Sequence, residues 1–351
     1  MSKKNKSLLM VSRYYYPFYE AGGPVKSTKN FIKFNSSKFN IMLLTSSKSL
    51  STSKNKNYLN KDIFYLNKFD FVKKIFSEVY IKKSVDLVYV NSFFNFYSFS
   101  AILISSFSNL RLFIHSRGVL KQAQINHKKY KKKLYIFLIK FFCNKFTFLV
   151  NETGEKETIE KYFNNPKITF TINYVDKPRE NITKSNKKFF FFSRISSEKG
   201  LLFLLNLIND IDVDLDIYGN IWDIEYFKKC EKLLKLNKNS KVIYKGVIEP
   251  DKVDEIISKY HCLILPTRGE NFGHVIYESL KNSVPVISTK NIPWVLSEKK
   301  CGANVELDNL SFKNQILKFK NMDINTYNTY KNNALIYSLD YYNSQNFFNF
   351  D

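Results

Sequence analysis

The sequence predicts an α/β protein made of two doubly wound parallel-sheet domains that face each other across a cleft. Short apolar strands alternate with helical stretches in the first half, and the same alternation starts again after a polar stretch at 176–188. The length of 351 residues also suits two domains, each able to bury its own core. We therefore expect a first domain over 1–180, a linker over 176–188 and a second domain over 187–330.

The first half has five apolar stretches of strand length with helical stretches between them. The predicted strands are 7–12, 40–45, 86–91, 112–115 and 146–150. The predicted helices are 24–34, 69–82, 93–106 and 120–142. Strands that alternate with helices in this way indicate βαβ units and a parallel sheet.

The second half repeats the pattern, beginning with four consecutive phenylalanines at 189–192. Its predicted strands are 188–193, 214–218, 241–245, 261–266, 284–289 and 303–306, and a helix is predicted over 201–209. Because open parallel sheets bind ligands outside the carboxyl ends of their strands, we expect the functional residues just after these strands.

Positive charge is concentrated in the first half of the chain. The formal net charge is +24; residues 1–185 contain 33 Lys and Arg against 11 Asp and Glu, whereas residues 186–351 contain 22 against 20. This asymmetry indicates an anionic partner for the first half, either nucleic acid or acidic lipid headgroups. The sequence has no helix-turn-helix, zinc-finger or RNA-binding pattern, so we expect no nucleic-acid partner.

Other features of the composition predict a cytoplasmic protein that needs no metal or other cofactor. The four cysteines have no paired spacing for zinc or a redox centre, and Cys143 and Cys262 stand among apolar residues, as core cysteines do. No apolar run approaches the roughly 18 residues of a membrane-spanning helix. The apolar stretch near the N-terminus is too short for a secretory signal, so we expect the reducing cytoplasm.

The strongest functional pattern follows the predicted strand 261–266. A turn containing Gly269 comes next, and a helix is predicted to begin near Gly273. The N–H groups of a helix N-terminus favour anions and hydroxyl oxygens, and a glycine lets the backbone approach a ligand closely. Glu270 and Glu278 stand on either side of this turn, and each carboxylate can accept hydrogen bonds from the vicinal hydroxyls of a sugar.

With Glu270 and Glu278 separated by seven residues between a strand and a helix, the sequence resembles glycosyltransferase family 4, the retaining enzymes of the GT-B fold. The resemblance is best over roughly 187–308 and implies two Rossmann-like domains. It implies that Glu270 contacts the donor sugar and Glu278 the ribose of the nucleotide. It also implies that the backbone amides of Phe272, Gly273, His274 and Val275 face the sugar and phosphate of the donor, and Asn271 is counted with these donor-binding residues.

Two cations follow the first predicted strand of the second half. Arg194 and Lys199 lie in a loop between a strand and a helix, where cations can stabilise the charge of a departing diphosphate. The resemblance assigns both residues to the diphosphate of the donor. Together with Glu270 and His115 they form the predicted catalytic set.

Two patterns in the first half are similar to N-terminal loops of the same family. Gly22 and Gly23 follow the first predicted strand, and consecutive glycines in such a turn suit close approach to phosphate. His115 ends another predicted strand, and Arg117 follows it. The resemblance implies that Arg117 binds phosphate or acceptor and that His115 lies beside the reaction centre. Relatives also lead us to expect that 331–351 forms a helix returning to the first domain.

A basic stretch at 127–133 directly precedes a strongly apolar one at 134–139. This pattern predicts a helix whose first part is exposed and whose second part is buried. Because lysines are attracted to anionic lipid, one hypothesis is that 121–142 docks on the inner face of the plasma membrane. The alternative is a solvated helix end.

These patterns lead to the hypothesis of a retaining, metal-independent glycosyltransferase that moves a hexosyl or related sugar. Its donor is a nucleotide sugar, and its acceptor is a lipid-linked saccharide or a polysaccharide in the biosynthesis of capsule, O-antigen or lipopolysaccharide. One alternative is a GT-B nucleotide-sugar epimerase, which would isomerise the donor without an acceptor. Another is a basic nucleic-acid-binding protein, which would shift the electrophoretic mobility of nucleic acid at physiological salt.

Overall fold

The computed structural model describes residues 5–50, 62–121, 125, 129–178, 187–209, 211–236 and 241–347. The chain divides into two compact units. The first comprises Met1–Val175 together with Asn346–Asp351, and the second comprises Asp176–Gln345. Most of the predicted linker, residues 179–186, lies outside the described residues.

The first unit is a parallel sheet with helices on both faces. Its strands are β1 Lys6–Ser12, β2 Phe39–Ser46, β3 Ile63–Leu66, β4 Leu87–Asn91, β5 Arg111–His115, β6 Phe146–Val150 and β7 Lys167–Phe170. Its helices are α1 Gly23–Asn35, α2 Lys68–Phe76, α3 Phe96–Ser106, α4 Lys129–Lys140 and α5 Thr153–Tyr162. The strand order is β3-β2-β1-β4-β5-β6-β7, so the order reverses between β1 and β4, the topological switch point of a doubly wound sheet.

Alternation along the central strands explains why both faces of this sheet are covered. In β1, Leu9 and Val11 join the core beneath α2 to α5, whereas Leu8 and Met10 join the core beneath α1. All four side chains are fully buried. A strand that is apolar at every position therefore satisfies both layers, as expected for a parallel sheet.

The second unit has the same architecture with six described strands. They are β8 Phe189–Phe192, β9 Leu215–Tyr218, β10 Val242–Gly246, β11 Cys262–Leu265, β12 Val286–Thr289 and β13 Gly302–Val305. The helices are α6 Leu201–Ile208, α7 Ile224–Leu236, α8 Val253–Ile257, α9 His274–Lys281, α10 Asn309–Lys320 and α11 Ile324–Asn343. The parallel sheet has the order β10-β9-β8-β11-β12-β13, which places a second switch point between β8 and β11.

The predicted fold class, with two doubly wound α/β units, is confirmed, but some predicted elements differ. Strands β3 and β7 were not predicted; both lie at sheet edges and neither is fully buried. The prediction of a helix from residue 120 is wrong at its start, because residues 117–120 form turns. Within the predicted docking segment 121–142, residues 122–124 and 126–128 lie outside the described residues.

The chain ends with a long helix that belongs to the second unit and a short tail that belongs to the first. In α11, the Tyr341 ring lies 5.2 Å from Trp294 and 6.0 Å from Tyr277 of α9. Beyond it, the Phe347 ring lies 5.1 Å from Phe34 of α1. The segment 331–351 was predicted to be one helix returning to the first domain. Its described part instead contains the end of α11, which packs on the second unit, followed by non-helical residues that contact the first unit.

Candidate active site

Two loops meet at the switch point of the second sheet. The loop 193–200 follows β8, and the loop 266–273 follows β11. Gly200 has a φ of +76°, and a Cβ atom built on it would lie 2.1 Å from the carbonyl oxygen of Pro266. The backbone N–H of Arg268 donates to the carbonyl of Glu198 at 2.9 Å. Only glycine at 200 lets the loops approach this closely, which explains the Lys-Gly sequence of the motif.

Lys199 and Glu270 form an ion pair at this point of contact. The Lys199 Nζ lies 2.6 Å from Oε1 of Glu270, and the two side chains are only 11% and 12% exposed. The N–H of Glu270 donates to the carbonyl of Asn291 at 3.1 Å, which fixes the backbone beneath the carboxylate. Opposite charges attract more strongly when partly withdrawn from water. Two of the four predicted catalytic residues are therefore held together, although they lie 71 positions apart.

Arg194 lies earlier in the first loop, beside an exposed tryptophan. Its guanidinium carbon is 5.1 Å from the ring centroid of Trp222, within cation–π distance. Trp222 follows β9 and is 52% exposed. Gly219 allows this neighbouring loop to approach, because a Cβ there would lie 1.7 Å from the carbonyl oxygen of Ser193. No sequence pattern singled out Trp222.

The loop after β11 ends in the N-terminus of helix α9. Gly273 caps this helix with a φ of +75°, a conformation that favours glycine. The Phe272 ring is buried against the Trp294 and Tyr341 rings at 5.2 and 5.4 Å, and its carbonyl accepts a hydrogen bond from the Trp294 indole. Phe272 is therefore a core side chain, and it anchors the turn at which helix α9 begins.

The remaining predicted donor-binding residues follow along this turn and the same helix. Asn271 is exposed, and His274 and Val275 are half-buried. Glu278 lies in the second turn of α9 and is 6% exposed. The structure thus brings the predicted donor-binding residues of the second unit onto one turn and one helix end, with Glu278 the most enclosed.

In the first unit, Arg117 is held by two asparagines. Its Nε donates to Oδ1 of Asn91 at 2.6 Å, and its Nη1 donates to Oδ1 of Asn173 at 2.6 Å. Asn91 ends β4 and also donates to Thr28 of α1 at 2.6 Å, so the guanidinium lies at the first switch point. Arg117 has a φ of 57°, a left-handed conformation that costs energy in a residue with a side chain. Sequence patterns identified Arg117 but neither asparagine.

His115 is a buried member of a second hydrogen-bond network. Its Nε2 lies 2.7 Å from Oδ1 of Asn151, and its Nδ1 lies 2.7 Å from the Tyr89 hydroxyl. Because an amide oxygen only accepts, Nε2 carries the proton and Nδ1 accepts from Tyr89. Burial, with Arg117 nearby, holds the pKa of His115 well below 6.5, so the ring is neutral. A role for His115 beside the reaction centre stays a prediction, since both ring nitrogens are engaged internally.

Gly22 and Gly23 lie between β1 and α1. Gly22 has a φ of 63° and Gly23 is the first residue of the helix, followed by Pro24. The predicted glycine turn therefore stands at the N-terminus of a helix beside the first switch point, with Gly22 in a conformation that favours glycine.

Neither a metal cluster nor a membrane-spanning helix is found in the part of the chain that the structure describes. No group of three or more His, Cys, Asp or Glu side chains is arranged to hold a metal ion among the described residues. No described helix is both long and apolar enough to cross a bilayer. All four cysteines are buried and free, as predicted for Cys143 and Cys262.

The second unit is similar to a known protein family. Residues 174–334 match the family model described as Glycosyl transferases group 1. An uncharacterised 41.2 kDa protein in the cps region of Klebsiella pneumoniae is 27% identical over 199 residues, which cover 52% of this chain and 54% of that protein. An uncharacterised glycosyltransferase of Methanocaldococcus jannaschii is 32% identical over 100 residues, 28% of each chain. The chain thus spans about half of the first relative and less of the second.

Solved structures resemble the whole chain. The structure of Anabaena HepE in complex with UDP and glucose has a TM-score of 0.71 at 14% identity, covering 95% of both chains. WaaG, a glycosyltransferase involved in lipopolysaccharide biosynthesis, has a TM-score of 0.69 at 12% identity, covering 97% of this chain and 96% of WaaG. At these identities the likeness shows the fold alone. The chain therefore has the GT-B fold, and its second unit matches the family model of group 1 glycosyltransferases over residues 174–334.

Proposed function

We propose that this chain is a retaining, metal-independent glycosyltransferase of family 4. It transfers a hexosyl or related sugar from a nucleotide-sugar donor to a lipid-linked saccharide or polysaccharide in surface polysaccharide biosynthesis. The Lys199–Glu270 pair carries the proposal, because it sets a cation and a carboxylate where a doubly wound sheet binds its ligand. The family match over 174–334 supports glycosyl transfer, and the relative in a cps region supports a polysaccharide product.

The donor is expected to bind at the second switch point with its diphosphate against Arg194 and Lys199. The Lys199 ammonium has three N–H donors, so it can retain Glu270 and still donate to a diphosphate oxygen. Glu270, held by Lys199, then accepts hydrogen bonds from hydroxyls of the sugar. Glu278, one helical turn further into α9, is assigned to the ribose hydroxyls.

In this proposal the protein supplies position and charge, and no side chain acts as a nucleophile. The bond between the anomeric carbon and the phosphate oxygen breaks, and the acceptor hydroxyl forms its bond on the same face of the sugar. The proton of that hydroxyl passes to the departing phosphate. Arg194 and Lys199 stabilise the charge that develops on the diphosphate, which is how preorganised cations lower such a barrier.

The acceptor is assigned to the first unit. Asn91 and Asn173 hold the Arg117 guanidinium in place through neutral amide oxygens at 2.6 Å. An arginine oriented in this way suits a phosphate or another anionic group of a lipid-linked acceptor. The first-unit excess of positive charge acts in the same direction.

Product stereochemistry tests the proposed reaction. We expect the purified protein, given a panel of nucleotide sugars and membrane-extracted lipid-linked saccharides, to form a glycoside with the anomeric configuration of the donor. NMR coupling constants of the product measure this configuration, and added EDTA is expected to leave the rate unchanged. An inverted product contradicts retention, and an isomerised donor formed without acceptor identifies an epimerase instead.

A further inference from the structure

Helix α4 of the first unit is apolar on both of its faces. Ile136 and Ile139 are buried in the core of the unit. On the opposite side, Leu134, Phe137 and Leu138 are 61%, 57% and 42% exposed. The prediction that the second part of this helix is buried is therefore wrong for three of its residues. A surface helix ordinarily carries polar residues on its outer face, so this exposed face needs a partner.

The exposed face extends along the whole helix and beyond its end. Tyr130 and Phe141 are 88% and 74% exposed, and residues 130, 134, 137, 138 and 141 recur at the spacing of one helical face. The Phe137 and Phe141 rings lie 5.3 Å apart. At the end of α3, Phe107 is 71% exposed and its ring lies 5.4 Å from Phe142. We name the exposed set Tyr130, Leu134, Phe137, Leu138, Phe141 and Phe107 the α4 face.

Further apolar side chains are exposed on the same helical layer of the unit. Ring contacts join its helices, since Phe71 of α2 lies 4.9 Å from Tyr97 of α3, and Phe99 of α3 lies 5.3 Å from Tyr135 of α4. The exposed residues on and after α2 and at the start of α3 are Phe69, Phe76, Ile81 and Phe96, with exposures of 40% to 70%. The α4 face is thus the densest part of a broader apolar layer.

The stretch of chain that contains the α4 face carries charge of a single sign. No aspartate or glutamate occurs between Asp86 and Glu152, a stretch that contains ten lysines and arginines. In α4, Lys131, Lys133 and Lys140 are exposed. Helix α7 of the second unit differs, because its exposed Lys228 and Lys235 pair with Glu225 and Glu231 of the same helix at 2.8 and 3.5 Å.

We propose that the α4 face inserts into the interface of a bilayer containing anionic phospholipid, with the α4 lysines at the headgroups. Aromatic and leucine side chains in one stripe bury their apolar surface among acyl chains, while flanking lysines extend to the phosphates. A second copy of the chain is a poorer partner, because it would bring together two copies of a helix that carries lysines and no acidic residue. This proposal concerns membrane binding, and its test does not depend on glycosyl transfer.

Vesicle flotation with matched variants tests this surface. The full chain is mixed with vesicles of phosphatidylcholine alone or of phosphatidylcholine with phosphatidylglycerol. We expect wild type to float with the anionic vesicles. The Phe137→Ser/Phe141→Ser variant should have a partition coefficient for these vesicles that is lower by about tenfold or more. Phe170→Ser is the control, because Phe170 is also 55% exposed but lies on edge strand β7. The Lys131→Gln/Lys133→Gln variant is expected to bind anionic vesicles about fivefold more weakly for each lysine replaced. Its binding to vesicles of phosphatidylcholine alone should not change.

Several outcomes would overturn the proposal. The proposal is wrong if wild type does not float with the anionic vesicles. It is also wrong if the Phe137→Ser/Phe141→Ser variant floats as well as wild type does. A concentration-dependent dimer in light scattering that the double variant abolishes would assign the α4 face to a second copy. Because these side chains are exposed, the melting temperature of each variant should stay close to wild type, which separates lost docking from lost folding.

Discussion

Replacing Glu270 by glutamine is expected to reduce kcat/KM for sugar transfer by about a hundredfold or more. The glutamine keeps the shape but removes the charge that lies 2.6 Å from Lys199. Removing a preorganised polar partner of the reacting groups commonly costs 10²–10³ in rate. Lys199 would also remain largely enclosed without its anion, so we expect a lower melting temperature. Initial rates and thermal unfolding measure the two effects.

Glu306→Gln is the matched control for this variant. Glu306 also pairs with a lysine, Lys290, at 2.7 Å, but the pair is exposed and Glu306 follows the edge strand β13 rather than the switch point. Exposed ion pairs contribute little, so activity and stability should remain near wild type. Equal activity of the Glu270 and Glu306 variants would remove Glu270 from the site.

Replacing Gly219 by alanine is expected to destabilise the second unit by about 3 kcal/mol or more. The added Cβ would lie 1.7 Å from the carbonyl oxygen of Ser193, and φ is +148°, where side chains are strained. Relief requires the loops after β8 and β9 to separate, which also moves Arg194 away from Trp222. We therefore expect lower thermal stability and weaker donor binding together, measured by calorimetry and by nucleotide titration.

Gly154→Ala is the control for the glycine substitution. Gly154 lies in helix α5, and a Cβ there meets no atom within 4 Å. Alanine at a helical position without a clash stabilises by up to about 1 kcal/mol. If the Gly219 variant melts at the wild-type temperature, the close packing of the two loops does not contribute to the stability of the second unit.

Central elements of the fold could be predicted because their sequence carries its own signal. Strands such as β1 and β11 are continuous apolar runs followed by turns, and glycines mark the start of α1 and α9. The missed edge strands β3 and β7 lack that signal, because neither is fully buried. In β7, three of four residues are exposed, including Phe170, and nothing local distinguishes such a segment from a loop.

The residues of the candidate site could be named from the sequence, whereas the contacts between them could not. Arg194, Lys199, Glu270 and Glu278 follow strands in recognisable order, so their place at a sheet edge could be predicted. The contact between Lys199 and Glu270 depends on β8 lying beside β11, and the strand order between them is a property of the whole sheet. Asn91, Asn173 and Trp222 were missed for the same reason, since each is a single residue whose neighbours come from distant segments.

The apolar stretch of α4 shows a related limit. Its sequence at 134–139 has apolar residues on all sides, which predicts burial when no neighbour is known. The structure covers Ile136 and Ile139 and leaves Phe137 exposed, because the sheet and α3 reach one side of the helix only.

Tryptophan fluorescence tests the central claim, that a nucleoside diphosphate binds at the second switch point. The chain has two tryptophans: Trp222, exposed beside Arg194, and Trp294, which is 3% exposed. Titration with UDP, GDP or ADP is expected to change the emission of wild type, and Trp222→Phe is expected to remove that change. Ligand binding to native protein also raises its melting temperature, so binding is detected independently. A nucleotide that raises the melting temperature of both proteins without altering Trp222 emission would contradict the proposed site.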